Sequence, residues 1–444
     1  MNQASVSHLI SQDFDKTEFQ SRRERIAESI GSNASALLQG APRPTSAHPV
    51  FVQSKVFYYV CGILIERSYL LIEGGSGKTT LFVPKSDISN YQGGELDDQA
   101  KNEICSQMAI DQVLVVEDLQ QKLEGVATLH LLQRPDEMAF ATKFPLVGAA
   151  KLRHADIFEK YTRRDQSLVN NIKEMYPKIE IAELDPIISK MRMIKSPAEI
   201  DIMRDNGKMS ARVCIESMKM TKPGLPIGVY NGVADYVFRI MGNCGHTYEF
   251  ICEPTHPESN VMLDGDLLLV DCAPNHKNYA MDIGRIWPIN GKFDPWQRHT
   301  YSVIVNYHKT LLSLAKAGRM VQDVYDEAAQ IMLNKYKDDP KGTKIVDFMI
   351  LRGIRYYNHH VGMSAHDAID TSWRERPLEA GMVLAVDPMV RLPEALHPTH
   401  IRCEDTVLIT DGDCEVFTVS APFEIDDIEA LMKQPGSFPL DISL

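Results

Sequence analysis

Apolar and polar positions change rhythm along this chain, and the changes divide it. Residues 1–13 are mostly polar and are expected to fray; residues 14–31 predict a helix, with the RRER run as its solvated face. From about 35 to 190, short apolar strands alternate with helical stretches, the pattern of an α/β domain. A boundary follows at KSPAEI, Lys195–Ile200. Ser196 is placed to cap a helix, Pro197 fits its first position, and Glu199 can close a capping box. That helix should run to about Met220, where TKPG stops it. DPWQ, Asp294–Gln297, repeats the logic for a second helix to about Gly318, and a third follows at about 320–336. Between and after these helices lie strand-like runs: DLLLVD (266–271), NYAMDIGRIWPI (278–289), GMVLAVDPMV (381–390) and HIRCEDTVLIT (400–410). The expectation is an α/β domain over 1–190 and an α+β domain over 191–444, with helices packed on an antiparallel sheet.

One short stretch, GGSGKTT at 74–80, invites a nucleotide reading. A phosphate loop needs GxxxxGK followed by Ser or Thr, and Ile72 stands where the first Gly belongs. The loop must also lead from a strand into a helix, whose N-terminus faces the phosphates. Here SYLLIE precedes and TTLFVP follows, both strand-like, so the stretch predicts a β-hairpin.

Charge and composition narrow the function classes. The 444 residues carry a formal charge of −13, which argues against a nucleic-acid partner. The start, MNQASVSHLISQDFDK, lacks a basic stretch followed by an apolar core, so no signal peptide is expected. No apolar run approaches the roughly 18 residues of a membrane span. Eight cysteines are scattered without a CxxC pair, which suggests reduced thiols in the cytoplasm.

The chemistry lies in the second half. Asp271 ends one apolar run; Asp282 lies 11 residues on, within the next expected strand; Asp387 follows LAV; and Glu404 sits in RCED. Carboxylates placed after buried apolar runs need compensating charge. Four converging on one site would need cations to stay ionised, and two divalent metals would neutralise them. YYNHHVGMSAHDAID, 356–370, offers His359, His360 and His366 as nitrogen donors. Carboxylates with one imidazole suit manganese, iron or cobalt better than a structural zinc site.

Taken in order, these segments resemble the pita-bread metallopeptidases: aminopeptidase P, prolidase, methionine aminopeptidase and their relative creatinase. MRMIKSPAEIDIMR resembles the entry into the family's catalytic domain. DGDLLLVDCAPNHKNYAMDIGRIWPI resembles its two-aspartate hairpin, LEAGMVLAVDP its LEPGMVxTxEP, and HIRCEDTVLIT its GIRIEDxxxIT. FQSRRERI, FVQSKVFYYVCG and TLFVPKSD resemble the aminopeptidase P type of N-terminal domain. The resemblance implies metal ligation by Asp271, Asp282, His359, Asp387 and Glu404, with Asp282 and Glu404 bridging two metals. His359 is preferred to His360 because Gly362 and His366 then fall three and seven residues later. His366 and Asp387 take catalytic roles, contacting the substrate and relaying a proton, and Arg402 matches the Arg two residues before the last Glu. Cys272 and Cys403 adjoin ligands and are expected to face away from the metals as packing.

Three departures stand out. Asp387 replaces a Glu, Arg355 stands where the peptidases often carry a His, and Pro254 aligns with an upstream substrate-contacting His, with His256 close by but shifted. Arg355 and His256 are therefore candidate substrate contacts. The implied function is a dinuclear aminopeptidase hydrolysing Xaa-Pro bonds, with manganese foremost and iron, cobalt or zinc as alternatives. The competing readings are a non-peptidase enzyme on the same fold, resembling creatinase or a dimethylsulfoniopropionate lyase and acting on a small molecule, and a non-catalytic binding protein. The family commonly forms dimers or tetramers.

Overall fold

The computed structural model describes residues 6–43, 51–85, 96–135, 143–155, 157–158, 162–242, 245–248, 251–256, 259–351, 357–367, 372–391 and 400–437. Contacts divide the chain into two compact units, Met1–Met191 and Arg192–Leu444.

The first unit is built on a six-stranded mixed sheet, ordered β4-β3-β2-β1-β5-β6. The strands are β1 (Ala34–Gln39), β2 (Tyr69–Glu73), β3 (Thr79–Val83), β4 (Gln112–Val115), β5 (Thr128–Leu131) and β6 (Glu180–Glu183). The unit also holds helices α1 (Lys16–Ile30), α2 (Lys55–Cys61), α3 (Asp98–Met108), α4 (Leu119–Leu123), α5 (Lys143–Ala155) and α6 (Arg164–Met175), and α7 (Asp185–Met193) runs across the boundary. GGSGKTT joins β2 to β3 as an antiparallel hairpin with Ile72 opposite Thr79. No helix follows it, so no helix N-terminus faces the glycines.

Glu24 and Arg25 of the RRER run are exposed as expected, but its first two residues depart from a solvated role. Arg22 and Arg23 are each only 2% exposed. Arg22 donates to Tyr59 O at 2.8 Å; Arg23 donates to Val60 O at 3.2 Å, Met108 O at 2.8 Å and Ala109 O at 2.7 Å. These carbonyls end α2 and α3, where helical acceptors lack partners and carry partial negative charge. Two buried guanidinium groups satisfy both ends.

The second unit opens with α8 (Pro197–Met220), capped by Ser196 with a complete capping box. It continues through α9 (Val229–Ile240), the three-stranded sheet β7 (Ile251–Pro254), β8 (Leu267–Asp271) and β9 (Gly284–Pro288), and α10 (Pro295–Leu314). Asp294 caps α10 with a second complete capping box. Then come α11 (Val321–Tyr336), α12 (Pro340–Leu351), β10 (Tyr357–His360), β11 (Val383–Val386), β12 (Met389–Arg391), β13 (His400–Arg402), β14 (Asp405–Leu408), β15 (Glu415–Val416) and α13 (Ile425–Leu431). β10, β11, β14 and β15 form one antiparallel sheet, and β12 pairs with β13. One core of helix and sheet residues, including Trp287, Tyr301, Leu384 and Val407, fills the unit.

The expected long strands are interrupted where the acids lie. Asp282 is not within a strand; it precedes β9 by two residues. GMVLAVDPMV is two strands, parted by Asp387 and Pro388, because a proline has no N–H to continue a ladder. HIRCEDTVLIT is likewise parted at Cys403 and Glu404. There Glu404 pairs with Gly284 instead, exchanging backbone hydrogen bonds of 3.0 and 3.4 Å.

Candidate active site

Four carboxylates converge near those interruptions, three of them on one guanidinium. Asp271, Asp282, Asp387 and Glu404 are buried. Arg402 Nη1 donates to Asp271 Oδ2 at 2.6 Å. Its Nε donates to Asp387 Oδ1 at 2.9 Å, its Nη2 lies 2.7 Å from Asp387 Oδ2, and Nη2 also donates to Glu404 Oε2. Burial opposes the Arg402 charge, but Asp387, Glu404 and Asp271 outweigh it and hold the group protonated. Gly284 makes room for this contact: a Cβ there would lie 2.8 Å from Arg402 Nε and 3.0 Å from Glu404 Oε2.

One guanidinium does not balance four carboxylates. Burial and the neighbouring Asp271 push Asp282 well above the usual carboxylate range despite Arg402. Burial, with Asp282 and Asp387 adding to it, does the same to Glu404. Glu404 Oε1 is buried without a hydrogen-bond partner. Donor atoms of Asp282, His359 and Glu404 lie within 4.8 Å of one another. His359 Nε2 is 3.6 Å from Asp282 Oδ2, and burial drives its imidazole well below the usual range, leaving the neutral ring that ligation requires. An oxygen-rich set with one neutral imidazole and surplus negative charge fits divalent cations.

The remaining candidates fall in different places. The ring of His366 stacks obliquely on His359, with centroids 3.9 Å apart and planes at 43°. Burial lowers its pKa, opposed by the Asp271 charge. His360 is buried on another face against Trp373. His256 lies with Asp266, its Nδ1 2.7 and 2.8 Å from the two carboxylate oxygens. Arg355 lies outside the described residues. Cys272 and Cys403 are buried in the core, as packing requires.

Two residues escaped the sequence reading. The Tyr248 hydroxyl donates to Asp271 Oδ1 and, at 2.9 Å, to Asp282 Oδ1. Burial and those two charges push its pKa far up, so it remains a donor. Thr406 holds Asp282 by its backbone, donating to its carbonyl at 2.7 Å and accepting from its N–H at 3.1 Å. A lone tyrosine 23 residues before Asp271 carries no local signal. Thr406 had one: it lies two residues after Glu404, on the same face of an extended chain. A second donor group, His308, Cys403 and Asp405, already has its cation. Arg285 Nη2 donates to Asp405 Oδ1 at 2.6 Å, and His308 Nε2 lies 2.7 Å from Oδ2.

The family model of metallopeptidase family M24 matches residues 201–411, and that of the aminopeptidase P N-terminal domain matches residues 19–131. Residues 201–411 belong to metallopeptidase family M24. Among its M24 relatives, a Xaa-Pro aminopeptidase of Escherichia coli is 27% identical, with 95% of this chain and 98% of the relative aligned. Proline aminopeptidase P II from Yersinia pestis shares the fold with a TM-score of 0.73 at 25% identity, covering 94% of this chain and 99% of that one. A zinc-substituted E. coli aminopeptidase P in complex with product superposes with a TM-score of 0.75 over 94% of this chain and 98% of its own, at 24% identity, a likeness of fold.

Proposed function

We propose that this protein is a metal-dependent aminopeptidase that hydrolyses Xaa-Pro peptide bonds. The observation that carries the reading is the meeting of Asp271, Asp387 and Glu404 on Arg402, with Asp282 joined to Asp271 through Tyr248 and His359 beside it, in a chain with an M24 domain. The residues that would hold the metals are Asp271, Asp282, His359, Asp387 and Glu404. Bound divalent metal lowers the pKa of water and polarises the scissile carbonyl.

The protein's own groups supply the rest. Asp387 is oriented through both oxygens by Arg402; its carboxylate would take the proton of the attacking water and carry it to the leaving nitrogen. His366, kept neutral by burial, donates one ring N–H to the carbonyl oxygen as negative charge develops there. Tyr248 holds Asp271 and Asp282 in fixed orientation. We read the metals as a pair, manganese foremost, and the protein as a cytoplasmic homodimer or homotetramer. The free state of the described cysteines supports the compartment. Arg355 and His256 remain candidate substrate contacts.

The test is metal analysis of the purified chain together with cleavage of a panel of Xaa-Pro-Yaa peptides after manganese loading. Release of the residue before proline is the expected outcome. Stoichiometric metal with every peptide intact would refute the peptidase reading and favour the small-molecule alternative.

A further inference from the structure

KSPAEI starts a helix, but its charged residues turn inward. Lys195 and Glu199 are buried, as is Arg192 just ahead. Glu199 divides its carboxylate: Oε2 accepts from the Ser196 N–H at 2.9 Å to close the capping box, while Oε1 accepts from the Tyr279 hydroxyl at 2.7 Å. Tyr279 precedes Asp282 by three residues, and its carbonyl accepts from the Asn206 amide at 3.1 Å. The approach to Asp282 is thus held from α8.

The histidine loop is held from the same place. Arg192 Nη2 donates to Asp367 Oδ1, between side chains only 3% and 1% exposed. Asp367 directly follows His366. Its backbone N–H donates to His360 O at 2.8 Å, closing the loop that begins at the end of β10. Gly362, inside that loop, leaves room for the carboxylate: a Cβ there would lie 2.2 Å from Asp367 Oδ2 and 3.2 Å from Lys195 Cε. The Gly362 carbonyl accepts from the Ala280 N–H at 2.7 Å, joining the loop to the segment that carries Asp282.

A buried ion pair contributes little net stability once both ions are desolvated, whereas its directional contacts fix geometry. Here the fixed residue is next to the histidine that stacks on His359. We propose that Asp367, clamped by Arg192, is a positioning residue that sets the orientation of the His366 imidazole. This rests on the reading of His366 as the substrate-contacting histidine.

A double-mutant cycle tests it. Wild type, Asp367→Asn, His366→Ala and the double variant are compared for kcat, KM and metal content on one Xaa-Pro-Yaa peptide. Asp367→Asn should lower kcat by about 10- to 100-fold, the usual scale for an orienting partner. KM should stay within about twofold, as for a group felt in the transition state. Metal content should not change, and adding Asp367→Asn to His366→Ala should cost nothing further. Equal losses in both backgrounds would overturn the proposal. Arg192→Gln carries the same cycle if Asp367→Asn folds poorly. Histidine NMR supplies an arm independent of cleavage: the His366 ring resonance, assigned through His366→Ala, should move in Asp367→Asn. An unmoved resonance overturns the clamp even if no peptide is cleaved, whereas an inactive wild type with a moved resonance refutes only the peptidase reading.

Discussion

Lys195 shows how one buried charge couples this site to pH. Burial lowers its pKa to about 8 from 10.5, while Asp367 and Glu199 pull it back upward. Between these values the unfolded chain holds a proton at Lys195 that the folded chain has released. The contribution of Lys195 to stability must therefore rise with pH across that window. The full rise is on the order of 3 kcal/mol. Below about pH 8 both states are protonated, and the cost of burying the ammonium is carried in full. Lys195→Met removes the titration and keeps the aliphatic bulk. Denaturant midpoints at several pH values from 8 to 10.5 should show wild type gaining on the variant as pH rises. A constant difference between the two would mean that Lys195 does not lose its proton in that range.

At the scale of elements, the decisive feature is alternation along one extended segment. Glu404 faces the carboxylate cluster, and Asp405, next in line, faces the other way. Asp405 accepts from Arg285 at 2.6 Å and from Thr418, and His308 Nε2 of α10 lies 2.7 Å from it. Arg285 also donates to the Glu404 carbonyl at 2.5 Å and to Ala421 O at 3.1 Å. These partners, Arg285 foremost, outweigh burial and hold Asp405 at about 2. Removing this acid strands a buried guanidinium, so Asp405→Ala should destabilise the protein by about 3–5 kcal/mol. Urea unfolding of the metal-free chain checks this; a loss below about 1 kcal/mol, the scale of a surface pair, would contradict it. Local chemistry made some elements legible in the sequence. Ser196 and Asp294 cap their helices through atoms within three residues, and GGSGKTT declares its hairpin through the strand formers on either side. The carboxylate cluster was legible as acids following apolar runs. Its centre was not: pattern alone gives no reason for Arg402 to lie among three of those acids. Arg22 and Arg23 were not legible as buried, because a charge run usually seeks water. Here the ends of two distant helices supply carbonyls that water would otherwise satisfy. Apolar runs cross Asp387 and Glu404 and so predict continuous strands, although Pro388 forbids an unbroken ladder beside Asp387.

At the scale of the whole molecule, every proposed metal donor lies in the unit of residues 192–444. A cation bound to the folded site stabilises by RT ln(1 + [L]/Kd), about 2.7 kcal/mol at a hundred times Kd. That stabilisation reaches only those openings that pull the donors apart. β8 ends in Asp271, the approach to β9 holds Asp282, and β10 with its loop holds His359. The break after β11 holds Asp387, and the break before β14 holds Glu404. Hydrogen exchange of the full chain, with manganese and then with excess chelator, resolves these segments from the six-stranded sheet. Residues 267–271, 281–288, 357–367, 383–391 and 400–408 should gain protection with metal. The strands from β1 to β6 contribute no donor and should exchange alike in both conditions. Protection gained equally in that sheet would mean that the two units open as one cooperative body. A molecule whose exchange ignores the metal everywhere would leave Arg402 as the cation facing Asp271, Asp387 and Glu404 and remove the basis for metal-assisted hydrolysis.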